Sequence, residues 1–160
     1  MNIFVLDNNP TIAAEYHTDK HVVKMILESA QMLSTAHHIS GTNETLKEMI
    51  YKPAYANHPC TVWARQSSSN YFWLFELFKS LLLEYNRRYG KEHSSNIMTW
   101  LLRDKPSNIP DGPLTPFAQA MPDQYKDSNA VIAYHKYYNN EKKHLFKWST
   151  RPTPSFIQAT

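Results

Sequence analysis

His21, Lys24 and Glu28 set an imidazole, an amine and a carboxylate at three- and four-residue steps, the spacing of one helix face. His17, Gln31, Thr35 and His38 extend the same polar series, and Lys20 adds a second amine one turn before Lys24. That inventory suits proton transfer or the gripping of an anion. A carboxylate between an amine and an imidazole stays ionised and can stabilise a developing cation. The plainer alternative is a solvated face carrying a Lys24–Glu28 pair worth about 0.2–0.5 kcal/mol. His17 and His21 also have the spacing of a metal pair, with Glu28, His37, His38 or His58 as a third ligand. The usual hydrolytic pattern places Glu directly after the first His, however, and Thr18 stands there.

These residues need a helix to hold them. Val22, Met25, Ile26, Ala30, Leu33 and Ala36 recur at the steps of a buried stripe, so residues 16–38 read as amphipathic helix. Its main body starts at Thr18 or Asp19, both good N-caps, and Gly41 suits its end. Before it, Ile3–Leu6 reads as a strand or an extended arm, and Asp7–Pro10 as a turn leading to a helix near Thr11. A short helix is expected over residues 44–51. The next is expected to open at His58-Pro59 and run to about Tyr89, with a weak point at Ser67–Ser69. Residues 71–85 are apolar on nearly every side, which places this helix in the middle of a domain. Residues 94–103 suggest another short helix, and residues 129–148 a last one. Between them, Pro106, Pro110, Pro113, Pro116 and Pro122 make residues 104–128 a long Pro-rich loop.

Composition bounds the rest. A chain of 160 residues is expected to form one domain and to bury about 70% of its unfolded surface. Cys60 is the single cysteine, so no internal disulfide and no cysteine-based zinc cluster can form, which favours a reducing compartment. The N-terminus lacks a signal-peptide pattern, and Glu76 and Lys79 interrupt the longest apolar stretch. The expectation is a cytoplasmic protein with no membrane partner. Three glycines leave no phosphate-cradling loop, and no motif implies a cofactor.

Net charge is only +3, but residues 129–151 carry Lys136, Lys142, Lys143, Lys147 and Arg151 against Glu141 alone. Tyr134, Tyr137, Tyr138 and Trp148 are interleaved with them, a pattern that suits a phosphate backbone and its bases. A basic helix face over a buried Tyr stripe is the competing reading. His58, Arg65 and Asn70 flank the start of the apolar helix. They are expected either to bind phosphate or to bond the Pro-rich loop.

Three pieces together resemble the small all-helical pyrimidine-dimer DNA glycosylases of bacteriophages and their bacterial relatives. They are the His21–Glu28 spacing after an extended N-terminus, His58-Pro59 opening a helix, and Leu82–Gly90 closing the central one. Tyr137-Tyr138 is a weaker echo, and residues 1–31 also resemble small uncharacterised proteins of T4-like phages. In the glycosylase family the N-terminal α-amine, exposed by removing the initiator Met ahead of a small residue, attacks the sugar. A carboxylate assists it, which the resemblance carries onto Glu28. Asn2 departs from that pattern, being too large for routine Met removal, so Met1 itself would supply the amine, or Lys24 or Lys20 would replace it.

The reading is therefore an all-α, compact single-domain helical bundle, phage-encoded, acting on DNA bases or nucleotides. Glu28 and His21 are its acid/base pair, with Lys24 or the Met1 amine as nucleophile or electrostatic stabiliser. His17, Lys20, Gln31, His58, Arg65, Asn70, Tyr137, Tyr138, Lys142 and Arg151 are its candidate contacts to substrate or phosphate. The alternatives are a non-enzymatic phage protein that binds nucleic acid, a nucleotide or a host factor, and a His/Glu metal-dependent enzyme.

Overall fold

The computed structural model describes residues 1–158, and among them all regular structure is helical. In chain order the helices are α1 Pro10–Tyr16, α2 Asp19–Ser40, α3 Glu44–Met49, α4 Pro59–Ala64, α5 Ser68–Tyr89, α6 Met98–Leu101 and α7 Ala130–Glu141. Short 3-10 turns cover Ser94–Ile97, Asp123–Tyr125 and Lys143–Leu145. The two long helices, α2 and α5, lie against one another, and α1 packs on α5. They run antiparallel. His37, late in α2, bonds Tyr71, early in α5, while the Tyr89 hydroxyl at the far end of α5 donates to Asp19 O.

The helix breaks fall at the capping residues Thr18 and Ser67, where the sequence places a start and a weak point, while the end of α7 differs from the expectation. α1 and α2 are separate because His17 and Thr18 are extended, and the Thr18 hydroxyl caps α2 by accepting from His21 N. His17 therefore ends α1 and does not belong to the polar face of α2. α4 and α5 are broken at Arg65–Ser67, where the Ser67 hydroxyl caps α5 through Asn70 N. α7 stops at Glu141, well short of Trp148. The chain beyond it is drawn to the start of α2, with Asp19 N–H donating to Lys147 O and the Asp19 carboxylate accepting from the Ser149 N–H and hydroxyl.

Ile3–Leu6 forms an extended arm with no strand to pair with, and it is buried in the core. It runs opposite to α2, so that Met1 meets Glu28 and Phe4 meets His21. The Pro-rich segment is not a free loop. Thr115 exchanges two hydrogen bonds with Asn70, Trp63 Nε1 donates to Thr115 O, and the Ser67 hydroxyl donates to Pro113 O. Gly41 suits the point where this segment returns, because its φ of 91° lies in a region that residues with a Cβ rarely adopt. One hydrophobic core joins the arm, α2, α4, α5 and α7. No helix among the described residues is long and apolar enough to cross a membrane.

Arg88, whose side chain is fully enclosed, ties the two long helices together. It bridges Asp19 at 3.2 Å and Glu84 at 2.9 Å, and its remaining N–H groups reach His17 O and Glu15 O. Burial alone would raise the Glu84 carboxyl, but bonds from Arg151 and Arg88 outweigh it and hold it below its ordinary range. Removing one partner of such a network strands the other charges. Arg88→Ala is expected to lose about 3–5 kcal/mol of stability in urea unfolding. A loss below about 1 kcal/mol, as for an exposed pair, would contradict this role.

Candidate active site

The Met1 ammonium lies 3.1 Å from Glu28 Oε1, with the Met1 side chain 2% and the Glu28 side chain 13% exposed. Glu28 sits midway along α2, at the point where the buried arm begins. Its second oxygen, Oε2, is buried without a protein partner. An amine and a carboxylate in this arrangement can exchange a proton, and Oε2 keeps an unused acceptor site.

Asn2 fixes the amine. Its amide donates to Ala120 O at 2.9 Å, and its Oδ1 accepts from Ile3 N at 2.8 Å and the Tyr134 hydroxyl at 2.9 Å. The Cys60 thiol adds a long contact to the same oxygen, and burial pushes that thiol up to about 11. Cys60 is thus a neutral packing group, not a nucleophile. The size of Asn2 could be read from the sequence; its clamp could not, because Cys60, Ala120 and Tyr134 lie 58, 118 and 132 positions away.

His21 is not the solvated acid/base group its spacing suggested. It stacks under Phe4 at 4.4 Å, and its Nδ1 shares a 2.6 Å hydrogen bond with the Tyr138 hydroxyl. Burial, with the nearby charges of Lys142 and Lys24 among the further causes, pushes it down to about 2. His17 is likewise fully buried, with Nδ1 bonded to Ala13 O, and burial holds it down to about 4. The two imidazoles hold the arm and the α1–α2 corner. Among the described residues no group of three or more His, Cys, Asp or Glu side chains is placed to hold a metal ion, so the proposed His17–His21 metal set does not assemble.

The other candidates divide by exposure. His58 caps α4, its Nδ1 accepting from Cys60 N at 3.1 Å, so the neutral ring keeps its proton on Nε2. Burial lowers His58, the Met1 ammonium lowers it further and Glu28 opposes them. Lys20 and Lys24 are exposed on α2, and Gln31 is half-buried one turn beyond Glu28. Lys142 Nζ lies 5.0 Å from the Tyr137 ring and 5.9 Å from Phe4, joining the basic end of α7 to this face.

Four candidates are committed elsewhere. Tyr138 is fully buried against His21, and Asn70 is fully buried between Trp63 O and Thr115. Arg65 donates to Ala56 O, and Arg151 pairs with Glu84 at 2.8 Å and Glu15 at 3.4 Å. Each of these groups satisfies a polar partner that burial would otherwise strand.

The family described as pyrimidine dimer DNA glycosylase has a model that matches residues 1–98. That span contains Met1, Asn2, His21, Lys24, Glu28 and His58, and it stops before α7. No curated protein and no solved structure matches the chain.

The buried histidines make stability depend on pH. Unfolded, His17 and His21 titrate near 6.5; folded, they hold out to about 4 and about 2. Between pH 6.5 and about 4 the unfolded chain therefore binds protons that the folded protein does not. Stability is full above that window and falls on acidification, by up to about 1.4 kcal/mol per pH unit for each residue. Urea titrations at a series of pH values from neutral to mildly acidic should show the midpoint falling; a flat profile would mean that these rings are hydrated.

Proposed function

The chain belongs to the pyrimidine dimer DNA glycosylase family, and from that premise we propose that it cleaves a base from DNA with the Met1 α-amine as nucleophile and Glu28 as its carboxylate partner. The observation that carries this reading is the 3.1 Å contact between the two groups, held by the buried arm. The family's description makes DNA carrying a pyrimidine dimer the first substrate to test.

In the proposed reaction Glu28 takes a proton from the ammonium, and the neutral amine attacks the sugar C1′. The glycosidic bond breaks and the base leaves with its electron pair, taking the proton that Glu28 had accepted. As the C1′–O4′ bond breaks, the ring oxygen keeps that electron pair and takes a second proton from the amine nitrogen. This leaves a protonated imine between Met1 N and C1′, whose positive charge is balanced by the ionised Glu28. Asn2 keeps the amine in register, and the anchoring of that side chain favours the retained Met1 over residue 2 as the reacting terminus. His21 acts through packing, by holding Phe4 and with it the arm. Exposed Lys20 and Lys24 and half-buried Lys142 supply the phosphate contacts, with Tyr137 beside them; His58 offers an Nε2–H donor.

Borohydride converts such an imine to a stable amine link, so incubation with lesion-bearing or abasic duplex DNA should give a covalent adduct mapped to Met1. Glu28→Gln is expected to reduce trapping by about 100-fold or more, in the range of general acid–base catalysis, with melting temperature nearly unchanged. A second variant with one extra residue before Met1 should lose the adduct while keeping its fold. An adduct at Lys24 or Lys20 would move the nucleophile, and full activity of Glu28→Gln would remove the assignment.

A further inference from the structure

Tyr134 lies in the second turn of α7, beyond the span that the family model matches, and its side chain is fully buried. A phenol in such a place is costlier to bury than a phenylalanine ring unless its hydroxyl is bonded. This hydroxyl is bonded on every side that the geometry offers. Asn2 Oδ1 and Ala118 O both stand 2.9 Å away as acceptors, and Ala120 N donates to it at 3.3 Å. Burial holds the phenol well above its ordinary range, so it keeps the proton that it donates.

These bonds close a ring. Asn2 Nδ2 donates to Ala120 O, Ala120 N donates to the Tyr134 hydroxyl, and that hydroxyl donates back to Asn2 Oδ1. The N-terminus, the Pro-rich segment and α7 are thereby joined at one oxygen atom. The segment is itself pinned to the chain before α7, because the Gln119 amide donates to Asp127 O at 2.6 Å and accepts from Asp127 N at 3.0 Å. Further along the arm, the Phe4 ring meets the Tyr134 ring edge-on at 5.9 Å.

An amine attacks only along its lone pair, and rotation about the Met1 Cα–C bond would swing that lone pair out of line. Two anchors oppose the swing: the buried Met1 side chain and the Asn2 side chain. Asn2 Oδ1 also accepts from Ile3 N at 2.8 Å, but Ile3 belongs to the arm and moves with it. The Cys60 thiol is farther, at 3.6 Å. Holding Asn2 against the helices therefore falls to the Tyr134–Ala120 ring.

We propose that Tyr134 is a positioning residue: its hydroxyl, acting through Asn2, keeps the Met1 amine beside Glu28 and in line with the sugar C1′. This role rests on the DNA glycosylase reading of that site and extends its machinery to α7 and the Pro-rich segment.

Full-length Tyr134→Phe tests it, with Tyr71→Phe as the control. Tyr71 is also fully buried, but its hydroxyl serves Leu102 O and His37 instead. Each variant loses one bonded hydroxyl, so each should melt about 2–4 °C lower than wild type. In single-turnover borohydride trapping on saturating abasic duplex DNA, Tyr134→Phe should form the Met1 adduct about tenfold or more slowly. Tyr71→Phe should trap like wild type, and both variants should keep wild-type affinity for a duplex with an unreactive tetrahydrofuran site. In an Asn2→Leu background, which keeps the side-chain size and so retains Met1, Tyr134→Phe should slow trapping no further. A wild-type rate in Tyr134→Phe, equal slowing in Tyr71→Phe, or full additivity with Asn2→Leu would each overturn the proposal. Hydrogen exchange separates it from the glycosylase reading. Tyr134→Phe should speed exchange at the Ile3 amide by about fivefold or more while amides in the middle of α5 stay unchanged. If wild type gives no adduct on lesion-bearing or abasic DNA, the glycosylase reading falls. Faster exchange at Ile3 would then leave Tyr134 standing as the clamp on the amine, and unchanged exchange would remove that role too.

Discussion

Burying an extended N-terminal arm without a sheet is the constraint on which the rest of this structure depends. Residues 2–6 are enclosed, yet they have no ladder to satisfy their polar groups, which burial would leave costly. Side chains from distant elements supply the bonds instead. His135 reaches Leu6 O, Trp73 reaches Asn8 O at the arm's end, and Tyr134 and Ala120 grip Asn2. Phe4 is surrounded by His17, His21, Tyr134, Tyr137 and Tyr138. The high aromatic content finds its main structural use here, where rings pack an arm that no strand could accept.

The geometry of the amine follows from that packing. A chain terminus is ordinarily among the most mobile parts of a protein. Here it is held next to a carboxylate because the following residues have no freedom to move. The Pro-rich segment takes part through Ala120, and it is itself fastened to α4 and α5 through Thr115 and Pro113. The loop thereby carries the rigidity of the central helices to the N-terminus. The Arg88 network does the corresponding work at the other end of the arm, locking the α1–α2 corner to the end of α5.

The polar residues of the molecule fall into two sets with different tasks. His17, His21, His37, Asn70, Tyr71 and Tyr138 are buried polar groups, held neutral or bonded internally, and they specify how the helices meet. Lys20, Lys24, Lys142 and Lys147 remain in solvent or near it, around the first turns of α2. Sequence periodicity cannot separate these sets on its own. His21 and Lys24 share a helical face, but one is covered by Phe4 and the end of α7 and the other is not.

The sequence by itself determined what depends on near neighbours along the chain. The stripe from Val22 to Ala36, the cap at Thr18, the break around Ser67 and the apolar run from Tyr71 to Tyr85 follow from side-chain spacing and capping chemistry. The helical class and most of the helix boundaries rest on those features. The same spacing singles out Glu28 as a carboxylate on a face of α2, and the size of Asn2 disfavours routine removal of Met1. Only the tertiary structure decided that His21 is dry, that α7 ends early so residues 146–149 can meet Asp19, and that Asn70 and Arg65 serve neighbouring loops. It also decided the partner of Glu28. Lys24 is the nearest amine in sequence on that face, but the carboxylate meets the Met1 amine because the arm folds back along α2. That contact joins residues far apart in the chain, and long-range packing, not local spacing, brings them together.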